Sequence, residues 1–535
     1  MRYVFVIFLF VFFACSQEKT PDLSSKVFRY NQPNQITSLD PAFCKTQNNI
    51  WAVNHIFNGL VQLDDSLSIQ PCIAKSWEIS EQGKVYVFHL RNDVFFHDDE
   101  CFPNGKGRRL VASDVVHSFS RLTDPTINSP GSWLFSGHVI GQEGFAAIDD
   151  TTFQLRLTEG FIPILGMLTM QYCAIIPHEA IEKYGKNFRA HPVGTGPYRF
   201  KRWEEDQALF LQKNDHYFES NELPKLDYIK TTFIPDKQIA VLELLAGKID
   251  FTAGIESSFI NELLTHKGEL RADKKSKINY IKTPYLNHEY LGINMSLAKG
   301  TALEHKKVRQ ALNYAIDRKA MLSTLRNNVG DPASGGFVPK GLPSFNDSIV
   351  RGYTYDLDKA KMLLVEAGYP QGKGLTEITL QTNNEYLDLC TFVAKQWESI
   401  GIKTSIEVKE TAVLREGMRN STIGMFRASW IADYPDAESF LTMFYSKNPA
   451  PPNYTRFKNA SFDALYEKAI KEDDIDRRYT MYHDMDKILV EEAPVIFLFY
   501  DQSSVFLNNK VKGYSNNGIN LLNVKRLHKK NHEES

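Results

Sequence analysis

Residues 389–408, LCTFVAKQWESIGIKTSIEV, contain the patterns of a helix, a helix stop and a strand in immediate succession. Apolar side chains recur at the three- and four-residue spacing of one helix face: Leu389, Phe392, Val393, Trp397 and Ile400. Gly401 is typical of a helix end, and the alternation of apolar and polar residues from Ile402 to Val408 predicts a strand. The stretch therefore predicts a helix that leads directly into a strand.

Comparable patterns occur along the rest of the chain, without a repeat of fixed length. They predict strands at 85–90, 249–251 and 495–500, and helices at 238–246, 308–322, 360–367 and 482–489. The apolar faces of these helices are interpreted as core. Alternation of helices and strands is typical of an α/β fold rather than of a helical bundle or a β-sandwich.

The amino terminus has the pattern of a secretory signal. Met1-Arg2 is followed by an apolar run that ends at Ala14, and this run is too short to span a bilayer. Cys15 directly after the expected cleavage site resembles a bacterial lipobox, in which the cysteine carries a lipid. We expect residues 1–15 to be the signal with its lipidated Cys15 and residues 16–26 to be a tether; plain secretion is the alternative.

Composition excludes several classes of protein. The 535 residues carry a net charge of −2 and no basic block, so nucleic acid is not an expected partner. Five cysteines remain beyond Cys15, without a CxxC pair, so at most two disulfides form and zinc is not indicated. Their pairing stays open at this stage: Cys44, Cys72, Cys101, Cys173 and Cys390.

Residues 429–441, SWIADYPDAESFL, place three carboxylates among aromatic and aliphatic side chains. A carboxylate in such surroundings needs a compensating cation or hydrogen-bond donors. A calcium loop is not indicated, since ligands on alternate residues and a glycine at the turn are absent. Two interpretations remain: Asp433 binds an ammonium group of an organic ligand, or the aspartates form a turn that caps a helix beginning near Ala437.

No catalytic motif is complete. Gly194–Pro197 lacks the later residues of a phosphate loop, and His97–Cys101 places its metal-like side chains on adjacent positions of a turn. Ser296–Lys299 has the serine and lysine spacing of penicillin-binding enzymes, but no Lys-Thr-Gly follows. We therefore expect neither an enzyme nor a cofactor.

Several segments in register resemble one family, the solute-binding proteins of peptide ABC importers (the oligopeptide/dipeptide-binding family, bacterial extracellular solute-binding family 5). The segments are Ala74–Trp77, Gly83–Leu90, Arg91–Asp98, Ser113–Phe119, Pro192–Tyr198, Asn294-Met295, Val308–Arg318 and Trp430–Asp436. Together they cover essentially all of the chain after the signal.

The resemblance implies an α/β, periplasmic-binding-protein-like fold of type II, cluster C: a two-lobed trap with an extra inserted lobe. Lobe I is expected to combine residues 27–61, 185–286 and 495–535. Lobe II is expected at 62–184 and lobe III at 287–494. Ligand would lie between lobes I and III, which close over it.

The resemblance also implies ligand-binding residues. Asp433 matches the aspartate that pairs with a peptide's α-ammonium, Trp430 the neighbouring wall, and Ser429 with Ile431 the strand edge that pairs with peptide backbone. The remaining matches are Arg427, Lys45 and Gln47. Arg427 matches a cation that answers the ligand carboxylate or balances Asp433; its alternative is a structural partner for a buried carboxylate. Lys45 and Gln47 belong to a second backbone edge, where oligopeptide binders carry an acid at the position of Lys45.

The implied function is a lipid-anchored, monomeric receptor of the cell envelope or periplasm that binds di- to oligopeptides. It would deliver them to an ABC permease and ATPase complex. The alternatives are another solute on the same fold, namely a nickel chelate, haem or an oligosaccharide, or an exported hydrolase.

Overall fold

The computed structural model describes residues 26–139, 141–254 and 259–530. In chain order its strands are β1 (Val27–Asn31), β2 (Val61–Leu63), β3 (Ile69–Pro71), β4 (Ala74–Ser80), β5 (Val85–Leu90), β6 (Phe145–Asp149), β7 (Thr152–Arg156), β8 (Tyr198–Glu204), β9 (Ala208–Lys213), β10 (Tyr228–Thr232), β11 (Phe251–Ala253), β12 (Ile278–Ile293), β13 (Asp331–Pro332), β14 (Ile378–Thr382), β15 (Thr404–Val408), β16 (Met425–Ile431), β17 (Val495–Asn508), β18 (Val511–Lys512) and β19 (His528–Lys529).

Its α-helices are α1 (Gln47–Ile56), α2 (Ala112–Thr123), α3 (Ile164–Met167), α4 (His178–Tyr184), α5 (Lys237–Leu245), α6 (Ile260–Leu263), α7 (Lys306–Tyr314), α8 (Arg318–Arg326), α9 (Leu357–Glu366), α10 (Leu387–Glu398), α11 (Thr411–Arg419), α12 (Glu438–Leu441), α13 (Ala460–Ala469) and α14 (Ile475–Glu492). Helices and strands thus alternate, as the sequence predicts.

A large mixed sheet of eleven strands runs through the molecule in the order β15-β14-β16-β12-β17-β11-β1-β10-β9-β8, with β13 paired to β17. A separate antiparallel sheet has the order β4-β5-β7-β6. This second sheet lies within residues 62–184, the range for which the resemblance implies an inserted lobe.

Two long strands, β12 and β17, run antiparallel through the centre of the large sheet. Their pairing is interrupted between Pro284 and His288, where the register shifts opposite Gln502 and Tyr500. On one side of this irregularity β17 pairs with β11, and on the other side β12 pairs with β16. The irregularity therefore separates the two halves of the sheet, and a break in a ladder is where a sheet bends most easily.

The apolar cores follow the same division. One core joins the four-stranded sheet to the first half of the large sheet, with Phe88 and Phe153 from the former and Phe28 and Leu211 from the latter. Two further cores lie almost wholly within residues 286–500. The four-stranded sheet thus packs as one body with the half of the large sheet that contains β1.

Two sequence predictions need correction. The helix predicted at 308–322 is two helices, α7 and α8, because the Asp317 carboxylate accepts the amide N–H of Ala320 at 2.9 Å and starts a new helix. The strand predicted at 495–500 continues to Asn508. The predicted part is an uninterrupted apolar run, whereas the next four residues, Asp501–Ser504, are polar and interrupt that pattern.

Candidate functional site

Strand β16 has a free edge beside the irregular part of β12 and β17, which separates the two halves of the large sheet and is called the interlobe boundary below. The amide N–H of Ala432 donates to the Leu286 carbonyl of β12 at 2.8 Å, so the even-numbered residues of β16 direct their backbone groups toward β12. The backbone groups of Ser429 and Ile431 then face the opposite side. There β14 pairs only with Met425 and Phe426, and no other described strand continues the ladder. The arrangement leaves room for an extended ligand backbone along Ser429 and Ile431.

Asp433 lies just beyond this edge with its side chain exposed to solvent. Protein nevertheless surrounds the carboxylate closely enough that poor hydration raises its pKa to about 6. Within the described ranges, no basic side chain or hydrogen-bond donor engages this carboxylate. Tyr172, which belongs to the segment 62–184, lies near the Asp433 carboxylate. Desolvation raises the pKa of Tyr172, and the Asp433 charge contributes to that rise. An arriving cation would stabilise the ionised carboxylate.

The loop around Asp433 is held by neighbouring side chains. The Trp430 indole Nε1–H donates to the Ser439 carbonyl at 2.6 Å, and the Asp433 amide N–H lies 3.3 Å from the Ser439 hydroxyl. Tyr434 is buried and packs against Gly166 of α3, where an added Cβ would lie 3.3 Å from its ring. The position of Asp433 therefore depends on contacts within residues 430–439 and on the contact of Tyr434 with α3.

The two other acids of this stretch have different roles. The Asp436 carboxylate accepts the Glu438 amide N–H at 2.9 Å, as expected for a helix cap, and pairs with Arg478 at 3.8 Å. The Glu438 side chain does not cap this helix. Its carboxyl is buried and accepts the hydroxyl groups of Tyr434 and Tyr466, and desolvation raises its pKa to about 7.

Arg427 does not reach toward ligand from the strand edge. Its guanidinium is buried, donates to the carboxylate of Glu289 on β12 and stacks on the Tyr386 ring. Burial raises the pKa of Glu289, and the Arg427 charge opposes that rise. The structural alternative for Arg427, as partner of a buried carboxylate, is the one that its contacts match. Sequence analysis missed Glu289, although an acid inside the apolar run of β12 could have signalled a buried partner.

Lys45 and Gln47 lie where the chain enters α1. Both side chains are exposed, and Gln47 Nε2 lies 3.5 Å from the Asn520 carbonyl. Gln47 and Thr46 line a cleft of about 1020 Å³, whose walls also include residues of β17 and the loop after β1. This cleft is large enough for a small organic ligand. The backbone amide of Lys45 is fixed by the Phe43 carbonyl at 2.8 Å.

A group of polar side chains at the interlobe boundary is not predicted by the sequence. Asp501 of β17 accepts from Arg326 at 2.6 Å, and both side chains line the cleft. The Asn287 side chain, at the irregular part of β12, donates to Asp501 at 3.4 Å. No motif marks these residues, because they are brought together only by the pairing of β12 with β17. Because Asp501 is paired with Arg326, it is less available to a ligand cation than Asp433 is.

The predicted lipidation site Cys15 lies outside the described residues, as does the signal. The five cysteines within the described ranges are free thiols. Over those ranges, no group of three or more His, Cys, Asp or Glu side chains could hold a metal ion. Within the same ranges, no helix combines the length and apolarity that crossing a bilayer requires.

Comparisons with known proteins define the family. The model of the bacterial extracellular solute-binding proteins, family 5 (middle region), matches residues 68–452. Haem-binding protein A of Haemophilus influenzae is 31% identical over 480 residues, which cover 86% of this chain and 84% of the relative. The dipeptide-binding protein of Escherichia coli is 27% identical over 482 residues, 86% of each chain.

Solved structures agree with this assignment at the level of the fold. A periplasmic murein tripeptide-binding protein in its unliganded open form superposes with a TM-score of 0.82 at 23% identity, covering 96% of this chain and 98% of that one. This chain therefore belongs to the bacterial extracellular solute-binding proteins of family 5, the solute-binding proteins of ABC importers. The predicted fold class and the expectation of a binding protein rather than an enzyme are confirmed.

Proposed function

We propose that this protein captures peptides in the cleft between the two halves of the large sheet, with the peptide's α-ammonium on Asp433. The observation that carries the proposal is the unpaired Asp433 carboxylate, whose pKa is raised to about 6 by poor hydration alone. A poorly hydrated charge is unfavourable without a partner, and an ammonium group supplies one. The free backbone edge at Ser429 and Ile431 adjoins this carboxylate, so one extended ligand could use both.

Backbone pairing explains how such a site could accept many sequences. Main-chain hydrogen bonds give affinity without selecting side chains, and water-filled pockets tolerate different residues. Trp430 is partly exposed beside the edge and forms part of its wall. Gln47 extends from the opposite side of the interlobe boundary into the cleft. Closure about the irregular part of β12 and β17 would bring these two surfaces together.

In this proposal the protein is a monomer in the cell envelope, on the periplasmic side, anchored by a lipid on Cys15. It delivers bound peptide to the permease and ATPase of an ABC importer. The expected lobes are those given above: residues 27–61, 185–286 and 495–535 for lobe I, 62–184 for lobe II and 287–494 for lobe III. The sheet topology supports this division except at residues 495–500, which pair with β12 on the lobe III side of the irregular ladder and pack in the cores of residues 286–500.

One relative is named a haem-binding protein, which makes haem the second candidate. The charge at Asp433 argues against it, because haem carries two carboxylates and would meet an unpaired carboxylate of the same sign. The walls of the large cleft also argue against haem. They are rich in amide and hydroxyl groups, which suit hydrogen-bonding ligands better than a porphyrin face.

Calorimetry with short peptides tests the proposal. Asp433→Ala should weaken binding by about 2 kcal/mol or more, roughly 30-fold in Kd, because the ammonium loses its charge partner. Acetylation of the peptide amino terminus should have a similar effect on the unmodified protein. Asp358→Ala on α9 is the matched control, since that exposed carboxylate has no ion pair in the described ranges. Unchanged peptide affinity in Asp433→Ala would refute the assignment.

Native mass spectrometry separates the remaining alternatives. Protein purified without denaturation should release intact peptides, identified by fragmentation. Incubation with a peptide mixture should leave every peptide uncleaved, whereas an exported hydrolase would generate new fragments. Retention of haem or of a metal chelate in place of peptide would favour the alternative solutes.

A further inference from the structure

Residues 43–47 connect the surroundings of Asp433 with the large cleft. At one end, Cys44 is fully buried, and the turn at Pro41–Phe43 that precedes it packs against the turn that contains Tyr172. Tyr172 in turn lies near Asp433. At the other end, Thr46 and Gln47 line the cleft of about 1020 Å³. Lys45 lies between these two ends along the chain, and its side chain is exposed.

The Lys45 ammonium has no partner within the ranges that the structure describes. The nearest acid in sequence, Asp40, is buried and already held by two hydrogen bonds from the Arg121 guanidinium, at 2.8 and 2.5 Å. No acid occurs between Asp40 and the end of α1 at Ile56. The backbone amide N–H of Lys45 donates to the Phe43 carbonyl at 2.8 Å, which fixes the point from which this exposed side chain extends.

Lys45 and Asp433 do not neutralise one another. Poor hydration is the sole cause that raises the Asp433 pKa, and no cation opposes it. A lysine in contact would favour the ionised carboxylate and lower that pKa. The two charges are therefore of opposite sign, separate, and both without a partner in the described part of the molecule. This arrangement complements a ligand that carries an ammonium and a carboxylate some distance apart.

We propose that Lys45 binds a carboxylate of the same ligand whose ammonium pairs with Asp433, so that the protein selects peptides with an anionic group near their amino terminus. The inference rests on the proposed function. The carboxylate has two possible sources: the C-terminus of a very short peptide, or an acidic side chain of a longer one. Either source gives the same charge complementarity, and peptides that place a cation at this point are disfavoured.

Calorimetry with two matched peptide pairs distinguishes the sources. The first pair is Ala-Ala and its C-terminal amide; the second is Ala-Glu-Ala-Ala and Ala-Gln-Ala-Ala. The acid should bind about fivefold more tightly than the amide in at least one pair, the order expected for a single solvent-accessible charge pair, and high salt should reduce the difference. Lys45→Gln should abolish the preference, and Lys45→Glu should transfer it to Ala-Lys-Ala-Ala.

Lys361→Gln on α9 is the matched control, because that exposed lysine has no ion pair in the described ranges. It should keep the preference unchanged. Equal affinities within both peptide pairs for the unmodified protein would overturn the role of Lys45 and leave peptide binding at Asp433 intact. So would a uniform loss for all peptides in Lys45→Gln. Failure of every peptide to bind the unmodified protein would instead overturn the proposed function, and the role of Lys45 with it.

Discussion

Peptide affinity should depend on pH through Asp433, and the dependence follows from its surroundings. Poor hydration raises the pKa of this carboxyl from 3.8 to about 6 in the empty protein. An ammonium group binds the ionised form, so protons and peptide compete for the site. At pH 5 only about one tenth of the empty molecules carry the ionised carboxylate, so Kd should be about tenfold weaker than at pH 7.

The upper limit of the range comes from the ligand. A peptide α-ammonium has a pKa of about 7.7–8.0, so affinity should fall again above about pH 8. The expected profile is a bell with its maximum between about pH 6.5 and pH 7.5. Calorimetry at constant ionic strength from pH 4.5 to pH 9, in buffers of different ionisation heat, gives both Kd and the number of protons released on binding.

The control is Asp433→Asn, which keeps the shape of the side chain and removes its charge. This variant should bind weakly, and the acid limb of its profile should be flat. An acid limb that persists in Asp433→Asn with its midpoint near pH 6 would refute the reasoning, since another group would then be titrating. The effect on folding has its own sign: because the folded pKa lies above the unfolded value, the empty protein should lose stability relative to Asp433→Asn as pH rises from about 4 to about 6.

Three further predictions concern the residues that support the site. Arg427→Met should destabilise the protein by about 3–5 kcal/mol in urea unfolding by leaving Glu289 buried without its partner, and the double variant with Glu289→Leu should recover part of that loss; equal stabilities of the single and double variants would contradict the pair. The free energy of unfolding should fall, relative to Glu438→Gln, as pH rises from about 4.5 to about 7, since the folded pKa of Glu438 is raised to about 7; parallel pH curves would count against this. Gly166→Val should crowd the Tyr434 ring, lower the stability by about 1–3 kcal/mol and weaken peptide binding; unchanged thermal unfolding and peptide affinity would show that the contact does not matter.

The sequence was most informative where one local pattern determines one element. The helix and strand predicted from residues 389–408 are α10 and β15, and Gly401 between them adopts a positive φ of 85°, which favours glycine. The prediction of a single helix through residues 308–322 is wrong because the apolar spacing continues across Asp317. Spacing alone does not show that a side chain turns back to cap the next helix.

The candidate site likewise contains residues that the sequence places together and a pair that it does not reveal. Asp433 and the backbone edge of Ser429 and Ile431 belong to one continuous segment, so a family resemblance could place them together. The partner of Arg427 could not be predicted, because Glu289 lies on another strand, 138 residues earlier in the chain, and meets Arg427 only through the register of β12 with β16. An isolated arginine in a strand gives no sign of whether it faces ligand or a buried acid.

The position of β17 determines when the large sheet can form during folding. This strand is made from residues 495–508, near the end of the chain, yet its neighbours β11, β12 and β13 come from much earlier segments. Until those residues are available, the centre of the large sheet lacks a strand, and the edges of β11 and β12 stay open to pairing with other chains. A chain interrupted before residue 495 would therefore leave both halves incomplete at once, and assembly of the binding cleft must wait for almost the whole polypeptide.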